Sequence, residues 1–172
     1  MAETLTLTAN SKEEIYQEIF PQLESILGGE TDLIANMANL SAVLMEAFGH
    51  LWIGFYLVRP VEGGAGAPEV GEQLVLGPFQ GPLACTRIRF GRGVCGTAWK
   101  NAATLIVPDV EQFPGHIACS SLSRSEIVVP VFKGCGNERK VAAVLDIDSV
   151  DTEKFDEVDR YWLEKIVKLI CI

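Results

Sequence analysis

The sequence lacks any apolar run long enough to span a membrane, and its opening stretch MAETLTLTANSKEE holds no basic segment leading into an apolar one. A membrane span and a secretory leader are therefore not expected, and a cytoplasmic protein is. Positive charge is also scarce: 14 Lys and Arg stand against 23 Asp and Glu, a net charge of −9. Binding nucleic acid through its phosphates needs clustered cations, so nucleic acid is not an expected partner. Cysteine pairs at metal-ligand spacing are missing too. The five cysteines (Cys85, Cys95, Cys119, Cys135 and Cys171) are an odd number in a chain of 172 residues, large enough to bury a core without covalent staples. They are expected as thiols. A zinc site assembled from His116, Cys119, Cys85 and Cys95 fails on spacing, since structural zinc is usually held by ligand pairs two to four residues apart. No internal repeat or low-complexity tract interrupts the chain, and one domain accounts for it.

What is present is a helix pair, a run of strands and a final helix. SKEEIYQEIFPQLESILGG opens with Ser11 and Glu14 in capping-box spacing, with Ile15, Phe20, Leu23 and Leu27 near helical period; Pro21 should kink or restart this helix. Leu33, Ile34, Met37, Leu40, Leu44 and Phe48 recur every three or four residues, giving a second helix that ends at Gly49. LWIGFYLV, QLVLG, LACTRI, TLIV, EIVVPVFK and KVAAVLDIDS read as strands, with a short helix in VCGTAWKN. PDVEQFPGHIACSSLSRS reads as a long loop, and loops of that length in compact domains usually carry function. A last amphipathic helix starts near Thr152 and places Phe155, Val158, Trp162, Ile166 and Leu169 on one side. The boundaries are a helical lead-in over about 11–49, sheet and loops over about 51–149, and a C-terminal helix over about 152–171. Hairpin-like connections rather than βαβ repeats make this an α+β layered domain.

In FGRGVCGTAWK, Gly91, Gly93 and Gly96 have the GxGxxG spacing of dinucleotide-binding loops. That fingerprint needs a long helix and a following parallel strand, which the nearby TLIV strand leaves no room for. A tight strand-to-helix turn explains these glycines better. The loop gains interest from its thiols. Cys85, Cys95 and Cys119 all fall in or beside loops rather than on periodic apolar faces, and a thiol at a helix start gains thiolate character from the helix dipole. Acids form the second constellation. Asp146 and Asp148 in VLDIDS are two apart on a strand and share a face, where like charges raise one another's pKa unless a cation arrives. Glu126 and Asp109 lie at other strand ends.

WIGFYL, LGPFQGPLACTRIRFGRGVCGTAW, GHIACSSLSRSEIVVPV and VLDIDS, in that order from about Leu51 to the final helix, resemble the free methionine-R-sulfoxide reductases, which are built on a GAF domain. The resemblance implies one GAF domain over 1–172, with a six-stranded antiparallel sheet flanked by helices. It implies reduction of free L-methionine-R-sulfoxide to methionine, with no bound cofactor or metal and with electrons from a thioredoxin-like protein, ultimately NADPH. By correspondence, Cys119 is the nucleophile, Cys85 the resolving thiol and Cys95 an auxiliary or alternative thiol, while Cys135 and Cys171 are bystanders. Asp109, Glu126, Asp146 and Asp148 form a cage for the substrate's ammonium group, Glu126 and Asp148 contact the sulfoxide oxygen, and Trp52 and Tyr56 wall in the S-methyl group. A homodimer is left open. The rival reading is a GAF sensor that binds a small ligand without turnover.

Overall fold

A computed structural model describes residues 4–61, 71–116, 120–134 and 139–170. Its elements are α1 (Lys12–Leu27), α2 (Leu33–Phe48), β1 (Trp52–Pro60), β2 (Glu72–Gln80), β3 (Arg87–Arg89), α3 (Gly93–Asn101), β4 (Leu105–Val107), β5 (Ser125–Lys133), β6 (Lys140–Ser149) and α4 (Glu157–Ile166). The strands form one antiparallel sheet in the order β3-β2-β1-β6-β5-β4, as the resemblance implied. The α+β expectation holds.

Side-chain alternation gives the sheet two different faces. Ile53, Phe55 and Leu57 of β1, Ala143, Leu145 and Ile147 of β6, and Ile127, Val129 and Val131 of β5 pack against α1, α2 and α4. Each fully buried aliphatic side chain there stabilises by about 1.5–3 kcal/mol. The alternate residues, among them Trp52, Tyr56, Val128 and Val144, face α3 and the long loop. The fold thus puts a large core on one side and leaves the other for a smaller layer, in which the acids and thiols of interest lie.

Three boundaries differ from expectation, each for a local reason. Helix α1 runs through Pro21 without restarting, and its buried face is Tyr16, Ile19, Leu23 and Leu27 rather than one centred on Ile15 and Phe20. Loss of one N–H costs less here than giving up that packed face. The LACTRI strand shortens to β3, so Cys85 belongs to a loop. The last helix starts at Glu157, because Asp156 accepts from Val158 N–H and forms a capping box with Asp159; it tightens to a 3₁₀ turn over Val167–Leu169. The long loop also contains a 3₁₀ turn, Val110–Gln112.

Asp159 locks the helical layer together. Its side chain is 1% exposed and accepts from Lys12 Nζ at 2.5 Å, from Tyr16 Oη at 3.0 Å and from Asp156 N–H at 2.8 Å. Burial, with the neighbouring Asp159 carboxylate adding to it, pushes the Tyr16 phenol well above its usual range, so the phenol remains a donor. Replacing Asp159 by Ala leaves the buried Tyr16 hydroxyl and the capping Asp156 N–H unpaired, while Lys12 keeps the Asp156 carboxylate and the Lys154 carbonyl, and should cost about 2 kcal/mol. Urea denaturation of Asp159→Ala should show a lower midpoint at unchanged slope; an unchanged midpoint would mean the network holds nothing together.

Candidate active site

Register assembles the site. On β6, Asp148 pairs laterally with Trp52 of β1 and with Glu126 of β5, and Asp146 pairs with Gly54 and Val128. Glu126, Asp146 and Asp148 therefore form a contiguous carboxyl patch on the small-layer face. Helix α3 closes over it. The turn before that helix needs glycine: Gly91 has φ +72°, and a Cβ on Gly96 would sit 2.5 Å from the Arg89 carbonyl oxygen. With Gly91 N–H bonded to Gly96 O at 3.0 Å, the loop folds onto itself and α3 comes down on the sheet. The GxGxxG spacing is a packing device here, as the sequence suggested.

Closure sets Cys95, in the first turn of α3, against the acids. Its Sγ lies 3.9 Å from Glu126 Oε1, and Cys95, Glu126 and Asp146 bring one donor atom each within 4.8 Å of one another. These three are 3%, 6% and 7% exposed. A cavity of about 30 Å³ lies among them, lined also by Arg92, His116, Ser123 and Asp148. That volume is about one water molecule's share, so an amino acid can enter only if the cleft widens.

Burial dominates the electrostatics. Desolvation first, and then the neighbouring Asp146 and Asp148, push the Glu126 carboxyl well above its ordinary value. Asp146 is pushed up in the same way, by burial and then by Asp148. Asp148 rises to about 6 through burial, moderated by the Ser123 hydroxyl that donates to its Oδ1 at 2.5 Å. Cys95 does not gain the thiolate character expected from its place at a helix start. Burial, then Asp146 and Glu126, push its thiol well up, and the helix dipole, worth about 0.3–1 kcal/mol, loses to desolvation that can shift a buried group by about 3–5 pKa units. Cys95 is a protonated thiol in an acid pocket and a weak nucleophile there.

Trp52 and Tyr56 lie side by side on the same face, ring centroids 5.8 Å apart. Trp52 also stacks on Phe79 at 5.4 Å, and Gly54 permits it, since a Cβ there would sit 2.6 Å from the indole ring. The Tyr56 hydroxyl donates to the Cys85 carbonyl at 3.0 Å and Trp52 Nε1 to the Pro82 carbonyl at 3.2 Å, so the aromatic pair holds the half-buried Cys85 loop to the sheet. Asp109 is not in the carboxyl patch. It accepts from Glu111 N–H at 3.1 Å and Gln112 Nε2 at 3.0 Å with Arg124 4.0 Å away, contacts that lower its pKa and keep it ionised at the end of β4. Cys119, Cys135 and Cys171 lie outside the described residues. Sequence reasoning missed Ser123, the partner of Asp148. A serine in a serine-rich loop carries no signal until the strand register puts it over an acid.

Comparison with known proteins agrees with this geometry. A GAF-domain family model matches residues 13–172. The free methionine-R-sulfoxide reductase of Saccharomyces cerevisiae is 42% identical over 165 residues, covering 93% of this chain and 86% of the yeast protein. GAF domain-containing protein A of Dictyostelium discoideum is 54% identical over 170 residues, 99% of each chain. The structure of free methionine-R-sulfoxide reductase from Neisseria meningitidis in complex with its substrate superposes with a TM-score of 0.84 at 49% identity, covering 97% of this chain and 92% of that one. The fold and site first define a GAF domain with a buried acid–thiol cleft. The chain belongs, within that class, to the free methionine-R-sulfoxide reductase family.

The pH dependence of stability follows from the raised pKa of Asp148. An acid whose folded pKa lies above its unfolded one stabilises the fold below the unfolded value and loses that contribution as pH rises through the folded value. The window runs from the ordinary 3.8 to about 6. Asp148→Asn should therefore gain on the original protein across that window, by about 2 kcal/mol at neutral pH once solvent screening is allowed for. Thermal melts at pH 4 and pH 7 check this; a gap that does not grow with pH would contradict the burial argument.

Proposed function

We propose that the protein reduces free L-methionine-R-sulfoxide to L-methionine by thiol chemistry and is recycled by a thioredoxin-type dithiol protein. The observation that carries the reading is the carboxyl patch of buried Glu126 and Asp146 with half-buried Asp148 on the same cavity, set against a thiol layer on the same face of the sheet. A protonated carboxyl can give its proton to the sulfoxide oxygen, and an ionised one can hold the ammonium of a free amino acid, which a peptide-bound methionine lacks.

In the proposed cycle the Cys119 thiolate attacks the sulfoxide sulfur while a protonated acid, Glu126 or Asp148, donates to the oxygen. The S–O bond breaks as oxygen passes to the cysteine, leaving a Cys119 sulfenic acid and methionine, the sulfur of the substrate reduced and that of the cysteine oxidised. The Cys85 thiol then condenses with the sulfenic acid to form a disulfide and releases water. A dithiol protein reduces that disulfide to two thiols and is itself oxidised. Asp109 adds an ionised carboxylate that attracts the ammonium, and Trp52 with Tyr56 confines the S-methyl group while fixing the Cys85 loop. Cys95 serves as an auxiliary thiol. The protein acts in the cytoplasm.

The coupled assay follows NADPH oxidation with thioredoxin and its reductase, using the free R epimer, the free S epimer and N-acetylmethionine sulfoxide. The free R form should turn over. Acetylation removes the ammonium charge and adds bulk, so kcat/KM should fall by about 10³-fold or more. Comparable rates for free and acetylated substrates would remove the ammonium cage, and tight binding with no turnover would favour a ligand sensor. In the same assay Cys119→Ser should lose even the first methionine, Cys85→Ser should make one per chain and stop, and Glu126→Gln should lower kcat by about 10²-fold. A Cys119→Ser protein that still makes methionine would place the attack elsewhere.

A further inference from the structure

We infer that Cys95, Glu126 and Asp146 form a divalent-cation site, selective for zinc, that closes the cleft reversibly. The inference rests on the active-site reading only for its consequence, inhibition; the site itself rests on geometry.

Three observations point to a cation. The donor atoms of Cys95, Glu126 and Asp146 converge within 4.8 Å, and all three residues are buried. Asp146 Oδ1 is buried without any hydrogen-bond partner, although the residue is only 7% exposed and lines the cavity. A buried carboxylate oxygen without a donor is expensive, and a bound cation would satisfy it. The residues around the cavity include one cationic side chain, Arg92, among the described residues, against three carboxyls.

Donor chemistry selects the ion. Calcium and magnesium take all-oxygen shells at high coordination number, which a sulfur and two carboxyls do not supply. Zinc accepts thiolate and carboxylate together in a four-coordinate shell. With bonds of about 2.3 Å to sulfur and about 2.0–2.2 Å to oxygen, tetrahedral zinc holds S and O about 3.6 Å apart. Cys95 Sγ and Glu126 Oε1 are already 3.9 Å apart. The cavity of about 30 Å³ is the size for one ion. On binding, the thiol and any protonated carboxyl release protons to solvent as the Zn–S and Zn–O bonds form, and nothing is oxidised or reduced. The ion occupies the ground on which the substrate's ammonium would stand, so zinc should inhibit in competition with free methionine sulfoxide, and a chelator should relieve it.

The test needs neither substrate nor reductant, so its outcome is separate from that of the reductase reading. Fully reduced protein is titrated with Zn²⁺ against a chromogenic chelator, and with Co²⁺ as a spectroscopic probe. One equivalent of metal and a near-ultraviolet thiolate-to-cobalt band are expected. Cys95→Ser should abolish the band, Asp146→Asn should weaken zinc at least about tenfold, and Cys85→Ser should leave both unchanged. Melting curves of each variant without metal establish that it is folded. Absence of stoichiometric uptake by the original protein, or uptake that survives Cys95→Ser and is lost in Cys85→Ser, would overturn the inference.

Discussion

Placing carboxyl groups inside a β-sheet protein is the constraint on which the rest of this structure turns. Glu126, Asp146 and Asp148 sit on neighbouring strands in register, the first two buried and the third half-buried, with no lysine among the described residues lining their cavity. Such an arrangement is unfavourable for ionised groups, and the protein meets it by shifting the acids toward their protonated forms. The large core on the other face, built from α1, α2 and α4 against β1, β5 and β6, supplies the stability that lets the sheet tolerate this patch. The two faces are a division of labour fixed by the two-residue period of a strand.

The same constraint separates the thiols by environment. Cys95 is enclosed with the acids and held protonated, whereas Cys85 is half-buried on a loop tied down by Tyr56. A reaction cycle in which one sulfur attacks and another resolves needs its thiols to differ in exposure, and the resolving role fits the accessible one. The deeper thiol fits better as a donor to the acid pocket than as an attacking group. The proposed selectivity for a free amino acid rests on the same patch, since a substrate bearing its own cation offsets negative charge there.

Much of this was legible in the sequence because it depends on period. Asp146 and Asp148, and Trp52 and Tyr56, were placed on shared strand faces by spacing alone, and the structure keeps both pairs on the small-layer face. The six strands and four helices followed from apolar runs and caps such as Ser11 and Gly49. What spacing could not supply was lateral register. That Glu126 faces Asp148, and that Ser123 bonds to it, depends on how β5 aligns with β6, which no local pattern encodes. Cys95 misled for a related reason: its position at a helix start is local information, and the acids that reverse its chemistry come from strands far along the chain. Asp109 stands outside the buried patch, its carboxylate capping the turn at residues 110–112, a placement that spacing gave no sign of.

The central claim is that the buried Glu126 and Asp146 carboxyls keep protons at neutral pH, and site-resolved ¹³C NMR of the labelled side-chain carboxyls, followed through a pH titration of the fully reduced protein, tests it directly. Glu126 and Asp146 should remain protonated well above the ordinary carboxyl range, with Asp148 titrating near 6. Titration of all three near the ordinary value of about 4 would contradict the account, because the patch would then be solvated and could neither donate a proton to a sulfoxide oxygen nor single out a cationic substrate.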